Sequence, residues 1–444
     1  MTGGKTVDTN MERLIDDDVA NGMFRVHRRT MTSPDVLAAE RERIFSPGWN
    51  YVGHESEIVE AGAFRRRSVA GRPLVFLRDT RGKVRVFFNT CPHRGALICR
   101  QDAGVARTFQ CFYHAWTFNT DGEIVGVPDR GSYPADMDWA GLGLKEPAEV
   151  ETYRGFCFVS FVKQRERLAN YLGEVAELMD LTIDSGEVLG GWEVLAGSSV
   201  YRFKANWKLM VENSIDNYHF DTVHETYRQF IGDSNKRVSA KTASIKEERT
   251  GFARNRGHGG FTMWPSRTAR TLATAGENWS AEEREHIERI RASLFERFGE
   301  ERGLLMAEQS RSILIFPNIL FQDSGTGFRI RQIEPVDHEI SEVRQWELAP
   351  RDEPHVLRRR RLEGARTFLG PGGFASPDDV EAVESCQLGF AASEVEWSDI
   401  SRGSLSKFPK DTEELQIRNF WREWQACIDG RDTSAARFGK AVGS

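Results

Sequence analysis

The segments Cys91-Pro-His93-Arg-Gly and Cys111-Phe-Tyr-His114-Ala-Trp decide the fold of the first part of the chain. Each offers one thiol and one imidazole at close spacing, and seventeen residues separate His93 from Cys111. Around them, from about 49 to 159, short runs of β-branched and aromatic residues alternate with turn signals that contain Gly and Asp. This texture predicts a small all-β module that presents two ligand loops.

The two loops supply the mixed donor set of a [2Fe–2S] cluster of Rieske type. In such a cluster two thiolates hold one iron and two imidazoles hold the other, which leaves less negative charge and raises the reduction potential. A Cys2His2 zinc site uses the same ligand types but usually pairs like with like, so the C-x-H and C-x2-H spacing fits zinc poorly. Cys99, eight residues after Cys91, is expected to be a packed thiol rather than a ligand.

A second group of acids and histidines lies in the segment 206–224, NWKLMVENSIDNYHFDTVH. Asp216 and His219 are three residues apart and would share one face of a helix. His219 and His224 are five apart, about 140° on an ideal helix, so both reach one metal only if the helix breaks or carries a π-bulge between them. Mononuclear iron that activates O2 is usually held by two histidines and one carboxylate. The carboxylate must come from this segment or from elsewhere in the chain.

Composition excludes several classes of function. With 444 residues the chain is long enough for two domains, and its net charge of −6 gives no reason to expect a nucleic-acid partner. The polar, acidic N-terminus does not resemble a secretory signal, and no run of about 18 apolar residues predicts a membrane span. Six cysteines are too few for a disulfide scaffold. We therefore expect a cytoplasmic protein.

Beyond about residue 165 the sequence mixes helix-like and strand-like segments. Strand-like runs cluster late in the chain with helix-like stretches outside them, which predicts an α+β domain built on an antiparallel sheet. The segment 10–45 is expected to be helical, and the polar, Gly-rich stretch 232–280 is expected to be a loop that rims a pocket. A stripe on the last helix is predicted to pack in the core: Ile417, Phe420, Trp421, Trp424 and Ile428.

Taken together, the two motifs resemble those of the large (α) subunits of Rieske non-haem iron ring-hydroxylating oxygenases, in the branch that acts on aromatic carboxylates. The resemblance covers nearly the whole chain. It implies an N-terminal all-β Rieske domain followed by a helix-grip, START-like catalytic domain with an antiparallel sheet. The expected division is a helical segment at 1–45 that packs on the catalytic domain, a Rieske domain at 46–160 and a catalytic domain at 161–444.

The resemblance also assigns roles to individual residues. It implies that Cys91 and Cys111 hold one iron of the cluster, that His93 and His114 hold the other, and that His219 and His224 ligate a mononuclear Fe(II). Asp216 would be a carboxylate that bridges an imidazole of each centre, with the cluster contributed by a neighbouring subunit. Such carboxylates orient ligand imidazoles and tune the metal. Three residues are pocket candidates: Asn213, Asn318 and Phe374, with a turn as the alternative role of Asn318.

The third iron ligand is a choice between two neighbouring acids. The family supplies an Asp near the start of a late helix, ahead of a Gln-x-Gly element. Ser376 as N-cap and Pro377 at the first position would begin such a helix. Counting back from Gln387 favours Asp378, and Asp379 is the close alternative.

The activity implied is that of the terminal oxygenase of a multicomponent dioxygenase. Electrons would come from NADH through a separate reductase, with or without a ferredoxin, and O2 would cis-dihydroxylate an aromatic, carboxylated substrate. The family implies a small β subunit and an α3 or α3β3 assembly. A Rieske monooxygenase or demethylase, and a pure Rieske electron carrier, are the alternatives. Arginines that could bind a carboxylate are Arg254, Arg256 and Arg366, although a solvated surface role is favoured for each, as it is for the run 358–361.

Overall fold

A computed structural model of the chain describes residues 13–431 except 165, 234–247, 265–269, 277 and 326. The chain begins with an antiparallel pair, β1 (Ile15–Asp18) and β2 (Met23–His27), and β2 also pairs with a strand near the other end at Trp397–Asp399. Helices α1 (Arg29–Thr32) and α2 (Pro34–Glu40) follow, and α2 continues as a π-helical turn at Arg41–Phe45.

The first large unit is built from ten short antiparallel strands. They form three sheets with strand orders β6-β5-β4-β7, β10-β9-β8 and β11-β12-β3. Buried aromatic and aliphatic side chains, among them Phe64, Phe109 and Phe118, surround Cys91 and Cys111. The strands are β3 (Asn50–His54), β4 (Ala63–Val69), β5 (Arg72–Arg78), β6 (Val84–Phe88), β7 (Ala103–Val105), β8 (Thr108–Gln110), β9 (Thr117–Asn119), β10 (Ile124–Gly126), β11 (Glu149–Tyr153) and β12 (Phe156–Ser160).

The second unit combines helices with one large antiparallel sheet of order β13-β20-β19-β18-β17-β16-β15, and β14 also pairs with β20. The strands are β13 (Trp192–Val194), β14 (Ser199–Phe203), β15 (Glu248–Ala253), β16 (Gly259–Trp264), β17 (Ser310–Ile315), β18 (Ile319–Ser324), β19 (Gly327–Pro335), β20 (Ser341–Pro350) and β21 (Trp397–Asp399). The helices are α3 (Leu168–Leu172), α4 (Val175–Glu187), α5 (Trp207–Ile215), α6 (Phe220–Val223), α7 (Glu225–Asp233), α8 (Ala281–Phe298), α9 (Glu300–Glu308), α10 (His355–Phe368), α11 (Ala375–Gly389) and α12 (Leu415–Ile428).

Side chains alternate between the two faces of the large sheet, and both faces are buried under helices. One face packs under α5 and α12, and Leu320 and Ile333 lie on it beside Trp207 and Phe420. The other face packs against α4, α8 and α9. The packing stripe predicted on the last helix is confirmed, since all five of its residues are buried. The α+β class predicted from the strand and helix pattern is therefore confirmed.

Two expectations about local structure were wrong. The segment 10–45 is not helical throughout, because residues 23–27 alternate half-buried and buried side chains, with Phe24 and Val26 inside, and form a strand. The stretch 232–280 is not all loop, since β15 and β16 form one edge of the large sheet, while 234–247 lies outside the described residues.

The arginine run on α10 was also misassigned to a solvated face. Arg361 is buried and donates to both carboxylate oxygens of Glu353, with a shortest distance of 2.7 Å. Arg360 pairs with Glu283. These guanidinium groups attach α10 to neighbouring elements. Among the described residues no helix combines the length and the apolar character needed to cross a bilayer.

Candidate metal centres

The first ligand loop follows β6 and has a tight backbone turn at its centre. The N–H of Cys91 donates to the carbonyl of Ala96 at 2.8 Å, and its carbonyl accepts from the N–H of Gly95 at 2.8 Å. Gly95 has φ +75°, a left-handed conformation that glycine adopts without steric cost. The turn therefore holds the thiol of Cys91 and the following His93 on one short loop.

The second ligand loop, between β8 and β9, repeats this geometry. The N–H of Cys111 donates to the carbonyl of Trp116 at 2.8 Å, and its carbonyl accepts from Ala115 at 2.9 Å. Ala115 takes the left-handed position with φ +56°, where a non-glycine residue is uncommon and strained backbone often marks a functional loop. The loops thus present one Cys and one His each in matching positions.

The four side chains converge. The imidazole rings of His93 and His114 lie 4.5 Å apart between centroids, and Trp116 stacks on His93 at 5.0 Å with a 6° interplanar angle. Nδ1 of His93 is buried without a protein partner. Burial raises the pKa of the Cys91 thiol, and the adjacent Cys111 raises it further. Two buried thiols that would repel each other as thiolates, beside two imidazoles, fit a cationic iron cluster.

The second centre depends on two breaks in the helical chain. Asn206 caps α5 by accepting from the N–H of Lys208, and α5 ends at Ile215. Asp216 is extended, with φ −96° and ψ 129°. The next helix, α6, is a four-residue turn with His219 before it and His224 after it. The helix therefore breaks before His219 and again at His224, not between the two histidines as their spacing predicted, and both imidazoles flank a single turn.

Asp379 completes a ligand set with these imidazoles. Its Oδ1 lies 3.4 Å from Nε2 of His219 and 3.1 Å from Nε2 of His224, and the three ligand atoms fall within 4.8 Å of one another. Carboxylates from other positions face the opposite ring nitrogens. Nδ1 of His219 lies 2.9 Å from Oδ2 of Asp216, and Nδ1 of His224 lies 3.5 Å from Oδ2 of Asp378. Both Nε2 atoms are thus directed at a common point, as the two-histidine, one-carboxylate iron site requires.

The geometry favours Asp379, the alternative, over Asp378 as the third ligand. Helix α11 begins at Ala375 rather than after Ser376, whose Oγ bonds to the carbonyl of Leu369 at 3.0 Å instead of capping. Asp379, Val383 and Gln387 form a buried stripe at four-residue spacing. The side chain of Asp378 is 33% exposed, while that of Asp379 is 5% exposed.

Electrostatics couple the imidazole and the acid. Burial alone would lower the pKa of His219, but the carboxylates of Asp216 and Asp379 raise it to about 9. Burial raises the pKa of Asp379, yet the two histidines lower it well below its usual value. A divalent cation would take the place of the bound protons, since metal binding requires neutral imidazoles and an ionised carboxylate.

Two residues of α5 next to the site have different surroundings. Asn213 donates to Oδ1 of Asp379 at 3.0 Å, so it contacts the ligand set. Glu212 points the other way and accepts from Nε1 of Trp421 at 2.5 Å, and burial raises its pKa to about 7. Only Asn213 therefore touches the metal-binding side chains directly.

An aromatic cluster borders the site, and the sequence analysis named one of its members. Phe374 stacks on Phe230 with 4.8 Å between centroids. Phe368 lies 4.4 Å from Tyr227 and 6.0 Å from the ring of His224. The missed members, Phe368 and Tyr227, come from α10 and α7, and only the spacing of Tyr227 three residues beyond His224 could have indicated a shared face.

The other pocket candidates do not converge on the iron site. Asn318 lies in the turn between β17 and β18, where its amide donates to the carbonyl of Ile333 at 2.9 Å. Arg254 pairs with Glu174 at 2.7 Å, and Arg256 pairs with Glu166. Arg366 is exposed. Asn318 thus has the turn role that was its alternative, and Arg366 has the solvated role that was favoured for it. Arg254 and Arg256 are partly buried in ion pairs and are not fully solvated.

Comparison with known proteins agrees with the two centres. Residues 48–153 match the Rieske [2Fe-2S] domain, and residues 191–430 match the ring hydroxylating alpha subunit (catalytic domain). Toluate 1,2-dioxygenase subunit alpha of Pseudomonas putida is 32% identical over 402 residues, 89% of this chain and 85% of that protein. The anthranilate 1,2-dioxygenase large subunit of Acinetobacter baylyi is 32% identical over 398 residues, 86% of this chain and 81% of that protein.

A solved structure shows the same fold. Naphthalene 1,2-dioxygenase with indole bound superposes with a TM-score of 0.79 at 24% identity, over 95% of each chain. The fold and the two donor sets define a Rieske non-haem iron oxygenase, with a Rieske [2Fe–2S] cluster and a mononuclear iron as its cofactors. The chain belongs to the family of ring-hydroxylating dioxygenase alpha subunits.

Proposed function

We propose that the chain is the terminal oxygenase of a multicomponent system that uses O2 to cis-dihydroxylate an aromatic carboxylate. The observation that carries the proposal is the convergence of His219, His224 and Asp379 in a chain that also presents the Rieske donor set. Toluate and anthranilate, for which two of the relatives are named, are aromatic carboxylates. The aromatic cluster around Phe368 suits a flat apolar ring.

The side chains divide the work at the iron site. When bound, the iron supplies O2 activation and the cluster supplies electrons. His219, His224 and Asp379 would hold the iron as its protein ligands. Asp216 and Asp378 accept from the Nδ1–H groups and keep each imidazole in the tautomer that directs Nε2 to the metal.

The cluster residues in this proposal are Cys91, His93, Cys111 and His114, on loops that project from the β unit. Phe112 and Tyr113, between two of these ligands, are 63% and 52% exposed. At the other centre Tyr218, whose N–H donates to Oδ1 of Asp216 at 2.6 Å, is 54% exposed. Two exposed aromatic surfaces, one at each centre, suit a head-to-tail contact between copies.

The proposed assembly is therefore a trimer of this chain, with or without a small β subunit. In it Asp216 would join His219 of one copy to His114 of its neighbour. A separate reductase, with or without a ferredoxin, would deliver electrons from NADH, which places the system in the bacterial cytoplasm. The proposed division of the chain is a Rieske domain at 46–160 and a catalytic domain at 161–444, on which the segment 1–45 packs.

The proposal is tested by product analysis with isotopically labelled O2. The iron-loaded protein is combined with a surrogate reductase and NADH and offered benzoate, 2-hydroxybenzoate and alkylbenzoates. We expect substrate-dependent O2 uptake and a dihydrodiol that carries two labelled oxygens. One labelled oxygen would indicate the monooxygenase or demethylase alternative, and absence of substrate-dependent uptake by a fully loaded protein would contradict the proposal. Asp379→Ala is the matched inactive control.

A further inference from the structure

Arg331, on β19, is a buried cation whose described partners are all neutral. It is 1% exposed. Its Nη2 donates to the hydroxyl of Tyr201 at 2.9 Å, and its Nη1 donates to Oγ of Ser214 at 3.3 Å. Its Nε has no partner. Within the described part of the chain no carboxylate oxygen lies within 4.0 Å of its guanidinium nitrogens.

Among the other buried arginines that the structure describes in this domain, four are matched with an acid, and Arg418 donates to the backbone carbonyls of Ile400 and Arg402. A buried charge is strongly unfavourable unless an opposite charge or good hydrogen bonds compensate it. Arg331, whose side-chain partners are neutral and whose Nε is unpaired, still has the capacity to bind an anion. The matched pairs are Arg270 with Asp323, Arg311 with Asp323, Arg329 with Glu347, and Arg361 with Glu353.

The position of Arg331 connects it to the iron site. Ser214, which accepts from it, directly follows Asn213 on α5, and Asn213 contacts both Asp379 and His219. The guanidinium thus lies between the sheet and the metal-binding end of α5. An aromatic acid bound between the sheet and this end of α5 would meet Arg331.

Neighbouring polar atoms mark the same patch as a place for a polar ligand group. Gln345, on the neighbouring strand β20, lies directly opposite Arg331. It is 2% exposed, and its Oε1 has no hydrogen-bond partner. Oε1 of Gln322, on β18, also lacks a partner, while its amide donates to Ser312 at 3.1 Å. Both amide oxygens are acceptors, so a water or a substrate hydroxyl group beside the carboxylate would satisfy them, while the carboxylate itself would accept from Arg331.

We infer that Arg331 binds the carboxylate of the aromatic substrate and so determines the preference of the site for anionic arenes. The inference rests on the proposed function, because it specifies the substrate class of that active site. A guanidinium presents a planar fork that matches a carboxylate in two parallel hydrogen bonds. Nε and one Nη of Arg331 form such a fork, since Nε is unpaired.

The test compares binding of aromatic acids with binding of their neutral isosteres. Calorimetric titration of the iron-loaded protein measures Kd for benzoate and nitrobenzene, and for the 2-hydroxy and 4-alkyl derivatives of each. In Arg331→Gln we expect at least one acid that binds the wild type to lose about 10- to 100-fold in affinity, the effect of losing charge-assisted hydrogen bonds. The matching nitro compound should change by less than about threefold, and Arg331→Lys should recover part of the loss.

The matched control is Arg311→Gln, which removes a guanidinium of similar burial from the opposite face of the same sheet. It should lower the melting temperature without changing the ratio of acid to nitro affinity. The inference is overturned if that ratio is the same in Arg331→Gln as in the wild type, or if no acid binds the wild type more tightly than its isostere. Because binding is measured without turnover, loss of O2 uptake would contradict the proposed function and leave this result intact.

Discussion

Nε2 of His224 lies 3.1 Å from Oδ1 of Asp379. The other nitrogen of the same ring, Nδ1, faces Oδ2 of Asp378 at 3.5 Å. Two adjacent acids of α11 therefore meet opposite edges of one imidazole, one from the metal side and one from behind. His219 has the same arrangement, with Asp216 behind it. The site thus consists of two carboxylate–imidazole pairs that converge on one carboxylate.

Asp216 is expected to act in electron transfer rather than in metal binding. Its carboxylate accepts from Nδ1 of His219 and from the N–H of Tyr218, and it is not one of the three side chains grouped as metal ligands. In Asp216→Asn both centres should stay loaded, while reoxidation of the reduced cluster in a single turnover should slow by about 100-fold or more. Stopped-flow absorbance of the cluster with substrate and O2 measures this rate.

The control is Asp221→Asn, which changes an acid of the following helix, α6, whose side chain is 63% exposed. In this variant the reduced cluster should reoxidise at the wild-type rate. Wild-type reoxidation in Asp216→Asn with full iron would show that the bridge runs through another residue.

The cluster assignment separates cysteines that lie close in sequence. Cys111→Ser should abolish the visible absorption of the cluster, because a thiolate ligand is removed. Cys99→Ser should keep it, because the Cys99 thiol donates to the carbonyl of Gln101 at 3.3 Å inside the packed core. Absorption spectra and acid-labile sulfide content measure how much cluster each variant retains. Equal loss in both variants would mean that misfolding, not ligation, explains the effect.

The stability of the iron-free protein should depend on pH through His219. The pKa of His219 is raised to about 9 in the fold from about 6.5 when unfolded, so its stabilising effect is present below 6.5 and is lost as pH rises through 9. Between pH 7 and 9 the free energy of unfolding should fall by about 2 kcal/mol. Urea titrations at several pH values measure this slope. His219→Gln and the iron-loaded wild type should both lack it, and an unchanged slope in the variant would contradict the assignment.

A buried ion pair joins the N-terminal segment to the catalytic core. Glu40 of α2 accepts from Nζ of Lys208 at 2.6 Å and from the indole N–H groups of Trp207 and Trp424 at 2.8 Å. Glu40→Gln leaves a buried ammonium unpaired and should lower the free energy of unfolding by about 3–5 kcal/mol. Denaturant titration measures the loss. Glu42→Gln, at an exposed position two residues later, should change stability by less than about 0.5 kcal/mol.

Local patterns made both ligand groups predictable, and contacts distant in sequence account for what was missed. The C-x-H and C-x2-H loops are self-contained turns, so their spacing alone carries the chemistry. The spacing of His219 and His224 predicted a break between them, but the chain is extended before them, at Asp216, and helical between them. The strand at Met23–His27 exists because a partner near residue 398 pairs with it, which no local propensity reveals.

The choice between Asp378 and Asp379 shows a different limit. Ser376 and Pro377 resemble a helix start, but the helix begins earlier, at Ala375. The stripe of Asp379, Val383 and Gln387 at four-residue spacing was present in the sequence and would have favoured Asp379. No local sequence pattern singled out Arg331. It matters because its neighbours, which come from elements distant in sequence, include no acid that pairs with it.

The most direct test of the central claim is the iron content of two neighbouring variants. The wild type should hold about three iron atoms per chain, two in the cluster and one at the mononuclear site. Asp379→Ala should retain about two with the cluster absorption unchanged. Asp378→Ala should reach about three at saturation, with iron affinity weakened by about 10- to 100-fold because an oriented imidazole loses its partner. Retention of three by Asp379→Ala, with two in Asp378→Ala, would contradict this account of the site.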